Sequence, residues 1–128
     1  MATYQNLIIW QKARSLVHAV YAATAKFPAQ EQFALTSQMN RCVVSIVSNI
    51  AEGWARGSTK DFLRFLYMSL GSLAELETQI ILAIDLGYLP ERDQESVCAQ
   101  TDEVGRLINS TISTLRSKIA SNPLAPNL

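Results

Sequence analysis

Gly71-Ser72-Leu73-Ala74-Glu75-Leu76-Glu77 sits in the most regular stretch of the chain, and Asn49-Ile50-Ala51-Glu52-Gly53 echoes it earlier: small residues, large aliphatics and an acid side by side. Working outward from the first run, Phe62, Leu66, Ser69, Leu73, Leu76, Ile80 and Ala83 recur by alternating steps of four and three. That is a heptad seam, and it predicts a long helix over about Thr59 to Leu86. A second apolar row lies beside the seam: Leu63, Tyr67, Leu70, Ala74, Ile81 and Ile84, with Glu77 among them. One seam suffices inside a simple bundle, whereas adjacent rows make a face too wide for intrachain neighbours alone. Leu63, Tyr67, Leu70, Ala74, Glu77 and Ile81 are therefore the expected contact surface for further copies of the chain. Gly71 and Ser72 read as positions where another backbone approaches closely.

The rest of the chain has the same period. Trp10, Ala13, Leu16, Val17, Val20, Thr24 and Phe27 predict a first helix, stopped by Pro28. Leu35, Met39, Cys42, Val43, Ile46, Val47, Ile50 and Trp54 predict a second, over about Phe33 to Trp54, with Gly53 and Gly57 loosening its exit. Ser58-Thr59-Lys60-Asp61 is a cap for the third, a hydroxyl for free amides and a carboxylate for the helix dipole. Gly87 stops that helix and Pro90 opens a fourth, to about Ser121, burying Val97, Thr101, Val104, Ile108, Thr111, Ile112, Leu115 and Ile119. Four long helices with short connections predict an all-α, antiparallel up-down-up-down four-helix bundle, one domain over residues 1–121. Residues 122–128, rich in proline and asparagine, read as an extended tail.

Composition bounds what the molecule does. At 128 residues, with 48% hydrophobic and 17% charged residues, the chain is apolar-rich for a lone domain, through either a thick core or surface hidden by self-association. Eleven basic and eleven acidic residues cancel, which argues against a strongly basic nucleic-acid binder while leaving room for a local patch. Cys42 and Cys98 stand apart, outside any CxxC pair, and read as free thiols at apolar positions. Neither a secretory leader nor a membrane-spanning run is expected, so the cytoplasm is the default compartment.

The residues of familiar site chemistries are missing. One histidine, His18, and no Glu-x-x-His pair exclude a ferritin-like di-iron site, and zinc lacks its clustered ligands. No Walker loop or GxGxxG run opens a helix. Arg14-Ser15-Leu16-Val17-His18 has the wrong spacing for a helical ribonuclease. No catalytic residue, metal or cofactor is assigned, and the chain reads as a non-enzyme. Glu52 is placed to pair with Arg56, one turn on. Glu77, on the second apolar row, needs water or a partner such as Arg41, Arg14 or a residue of another subunit. Arg56, Lys60 and Arg64 cluster at the start of the third helix beside Trp54, an arrangement suited to phosphate or nucleic acid. The plainer reading is a solvated face paired locally with Asp61.

Several motifs together resemble one family. They are Trp10-Gln11-Lys12-Ala13, Phe27-Pro28, Phe33-Ala34-Leu35-Thr36-Ser37-Gln38, Val44 through Gly53, Arg56-Gly57-Ser58, Phe62-Leu63-Arg64-Phe65-Leu66, Gly71 through Glu77, and Gly87-Tyr88-Leu89. The chain resembles, over roughly Trp10 to Leu89, the bacterial proteins encoded in 23S ribosomal RNA intervening sequences. The resemblance implies a homopentameric ring of up-down bundles and kinship with the accessory variability protein of diversity-generating retroelements, which is basic and binds a reverse transcriptase and nucleic acid. Two features depart from that pattern: Val47 stands where the family usually has proline, and the charge is balanced. The leading expectation is a non-enzymatic, self-assembling adaptor of the bacterial cytoplasm. The alternative is an RNA- or DNA-binding accessory protein using Arg56, Lys60 and Arg64, helped by Arg116 and Lys118.

Overall fold

The computed structural model describes residues 3–121; the tail expected at 122–128 lies outside them. A short 3₁₀ turn, Tyr4–Asn6, leads into α1 (Ile8–Thr24), and a second, Ala29–Glu31, leads into α2 (Leu35–Ala55). α3 (Thr59–Asp85) and α4 (Glu91–Ser121) follow, and the described residues hold no strand. α1 packs on α2 and α4, and α3 packs on α2 and α4, while the diagonal pairs stay apart. Four helices thus surround one core.

The predicted stripes supply that core. Leu16 and Val20, Met39 and Ile46, Leu66 and Leu76, and Val104 and Ile108 are all fully enclosed. Burial at about 25 cal/mol per Å² of apolar surface makes this the main source of stability. Ile9 joins the core although it stood outside the stripe read for α1.

The ends of α3 follow local chemistry closely. The Ser58 hydroxyl accepts from the Asp61 amide at 3.0 Å, satisfying one of the free donors of the first turn. At the other end Gly87 takes φ +77°; its amide donates to the Ile84 carbonyl and that of Tyr88 to the Ala83 carbonyl. This paired closure answers carbonyls that the helix leaves unmatched. Gly57, at φ +79°, makes the turn between α2 and α3. α2 runs unbroken through Val47.

α2 and α3 share the most extensive contact in the molecule. Gly53 does not loosen the end of α2: it lies buried inside the helix, where a Cβ would stand 2.6 Å from that of Phe65. Nearby the Ser69 hydroxyl donates to the Ile46 carbonyl at 2.9 Å, and the Ser45 and Ser72 hydroxyls meet at 3.0 Å. Across the bundle, Lys12 pairs with Glu103 at 3.0 Å and Lys26 with Asp93 at 2.9 Å, tying α1 and the turn that follows it to α4.

Candidate functional site on the flanks of α3

The basic cluster at the α2–α3 turn is largely neutralised by its own neighbours. Arg56 pairs with Glu52 at 3.0 Å, as the one-turn spacing predicts, and Arg64 reaches Asp61 at 3.8 Å. Both guanidinium groups lie over the Phe65 ring, 5.1 and 4.6 Å from its centroid, and cover a side chain that would otherwise be wet. Trp54 is half-buried and sets its ring edgewise against Phe62, 5.8 Å between centroids. Lys60 stays exposed. The cluster therefore assembles two carboxylates alongside its three cations and holds the aromatic within the protein. Arg116 is drawn elsewhere: it donates to the Tyr67 hydroxyl at 3.0 Å. Lys118 is exposed in the last turn of α4.

The second apolar row divides along its length. Leu63 and Leu70 are half-buried against the core, whereas Tyr67 is 45% and Ile81 58% exposed, with Ala74 and Glu77 also at the surface. Glu77 and Ile81 border a recess of about 170 Å³ shared with Cys98, Thr101 and Asp102 of α4. Glu77 pairs with neither Arg41 nor Arg14 among the described residues; Arg41 lies on the other flank of α3, beside Glu75. Gly71 makes no close approach within the chain, since a Cβ there would meet nothing within 4 Å. Ser72 does pack closely, accepting on its carbonyl a hydrogen bond from the Cys42 thiol at 2.9 Å.

That other flank escaped the sequence reading. Between α2 and α3 a trough of about 320 Å³ is lined by Gln38, Arg41, Cys42, Ser45, Ser72, Glu75 and Gln79. Burial, with the negative charge of Glu75 added, pushes the Cys42 thiol up to about 11. Burial, followed by the charge of Asp102, also raises the Cys98 thiol, which is half-buried; both sulfurs are free. Neither is an activated nucleophile, because attack requires the thiolate. A hollow against α1 is lined by Gln5, Trp10, Arg14 and His18, with the Arg14 guanidinium 5.6 Å over the Trp10 ring. Ser15 shares its lining with His18, but no hydrogen bond joins the two side chains among the described residues. Among the described residues no three His, Cys, Asp or Glu side chains gather closely enough to hold a metal ion. Nor is any helix of the described residues long and apolar enough to cross a membrane.

Residues 5–110 match the 23S rRNA-intervening sequence protein family. The chain belongs to that family. A solved structure from Bacteroides thetaiotaomicron, described as a protein of unknown function from the S23 ribosomal protein family, superposes on the intervening-sequence fold seen here with a TM-score of 0.76. It is 23% identical over 83% of this chain and 96% of its own, a likeness that speaks for the fold alone. No curated protein matches the chain.

Proposed function

We propose that the protein is a non-enzymatic assembly or adaptor protein of the bacterial cytoplasm, acting as a homopentameric ring of antiparallel up-down-up-down bundles. The observation that carries this reading is the exposed apolar row on α3, where Tyr67 and Ile81 stand in water along one line with Leu63 and Leu70. Apolar side chains aligned on one exposed helix face favour association over solvation once a partner extends them into a contiguous patch. Zero net charge leaves no long-range repulsion between copies. The antiparallel arrangement is supported by contacts in which one number rises as the other falls: Lys12 with Glu103 and Lys26 with Asp93, Ser45 with Ser72 and Gly53 with Phe65. The ring of five, and any kinship with the retroelement accessory protein, rest on the family resemblance.

Light scattering on the purified protein tests the reading. The expected mass is that of a pentamer; a particle of 14.2 kDa, one chain, overturns it. The local pairing of Arg56 and Arg64 speaks against nucleic acid as the partner. Oligonucleotide binding is accordingly expected to be weak and nearly flat across a salt series. Genuine phosphate contacts by Arg56, Lys60 and Arg64 would instead give a steep loss with added salt.

A further inference from the structure

Closed rings of identical subunits join unlike surfaces, so the patch on one copy is met by a different patch on the next. The α3–α4 face bearing Tyr67, Glu77 and Ile81 is one patch. The opposite flank of α3 offers the other. Met68, Ser72, Glu75, Gln79, Leu82 and Leu86 follow one another by steps of four and three, a heptad stripe whose ends are exposed and whose middle, at Ser72 and Gln79, sinks against α2. Met68, Leu82 and Leu86 are exposed large apolar residues. At the centre of the stripe lies the trough between α2 and α3, and its polar groups are incompletely matched. The Gln79 side chain is nine-tenths buried, yet its Oε1 accepts no hydrogen bond. A buried acceptor without a donor is uncommon and costly in a folded protein. Arg41, on the rim, has no ion pair among the described residues.

We infer that this trough seats the α3–α4 face of a second copy of the chain. That face is the complement on three counts. It carries exposed apolar side chains, Tyr67 and Ile81, to meet Met68, Leu82 and Leu86. It is acidic, with Glu77 and Asp102 bordering its recess, and the trough offers Arg41, whose guanidinium forms no ion pair among the described residues although Glu75 shares the lining. It has the same heptad spacing, being the other flank of the same helix, so the two stripes match in length. Docking sets Glu77 of the second copy against Arg41 and brings a hydrogen-bond donor to Gln79 Oε1. The inference rests on the self-assembly proposed above and names the surface that completes it.

Charge reversal tests it on the intact chain. Arg41 and Glu77 are both exposed, so Arg41→Glu and Glu77→Arg leave the core untouched, and circular dichroism with thermal unfolding verifies the fold. Each single variant places like charges against each other in the junction and is expected to weaken association by about tenfold or more, lowering the light-scattering mass at micromolar protein. The double variant Arg41→Glu/Glu77→Arg restores the opposite pairing and is expected to recover the parent mass. A parent that assembles while the single variants keep its mass overturns the trough as the seat and leaves self-assembly standing. Single variants that dissociate without recovery in the double variant overturn the pairing of these faces. A parent of one-chain mass overturns both readings.

Discussion

Gly53 shows how far a single residue governs the close α2–α3 contact. Replacing glycine by alanine at an open helical position stabilises by about 0.8–1 kcal/mol. Gly71 is such a position, with no atom near the added Cβ, and Gly71→Ala is expected to raise the urea midpoint. At Gly53 the sign reverses. The new methyl group would meet Phe65 Cβ at 2.6 Å, close to the α3 backbone and unable to swing aside, so Gly53→Ala is expected to lose about 1–3 kcal/mol by overpacking. Equal midpoint shifts for the two variants would refute this account of the contact. Cys42 gives a pH signature. Its thiol ionises near 9.0 in a free chain and near 11 in the fold, because burial and then Glu75 oppose the thiolate. The folded state therefore keeps its proton where the unfolded state loses it. The stabilisation is whole below pH 9 and drains away as pH rises from about 9 to about 11. Cys42→Ala is expected to flatten the fall in unfolding free energy across that window, measured by urea titrations at each pH.

At the scale of the element, α3 is the helix whose limits were written most plainly in the chain. Ser58 caps it through the Asp61 amide, and Ser58→Ala is expected to cost about 0.5–2 kcal/mol, read as a lowered denaturation midpoint at unchanged slope. The heptad seam and its terminal signals placed α3 to within a residue, because cap chemistry and apolar period are both local. What sits between rows was harder to read. Phe65 belongs to neither apolar row, yet it is buried, since Gly53 admits it from one side and Arg56 and Arg64 cover it from the other. Its burial depends on a glycine twelve positions earlier and on the α2–α3 crossing, neither of which a helical period encodes. The basic cluster was legible by contrast: spacings of four and three residues set Glu52 against Arg56 and Asp61 against Arg64, and both pairs form.

For the whole molecule, the count of helices and the composition of their shared core were legible, since both follow from hydrophobic spacing. The trough between α2 and α3 was not. Ser72 reads as a close-packing position, but Gln38, Arg41, Ser45, Glu75 and Gln79 look like ordinary polar surface until two helices bring them into one depression. The row of Tyr67 and Ile81 was legible and remains partly exposed in the single chain, so the molecule's stability is tied to what covers that row. If copies of the chain do so, the native state gains free energy by mass action, and the thermal midpoint rises with protein concentration. Ile81→Asp separates this from core stability. At 58% exposure the isoleucine fills no cavity in its own chain, so its removal leaves the core packed. A carboxylate there, beside Glu77 and Asp102, would lose its hydration against the apolar side chains that cover Ile81. The expected outcome is a parent whose midpoint climbs over a hundredfold dilution series, against a variant whose midpoint is independent of concentration and equal to that of the most dilute parent. A variant that unfolds well below the dilute parent would show instead that Ile81 holds its own chain together, and the row would lose its standing as an interface.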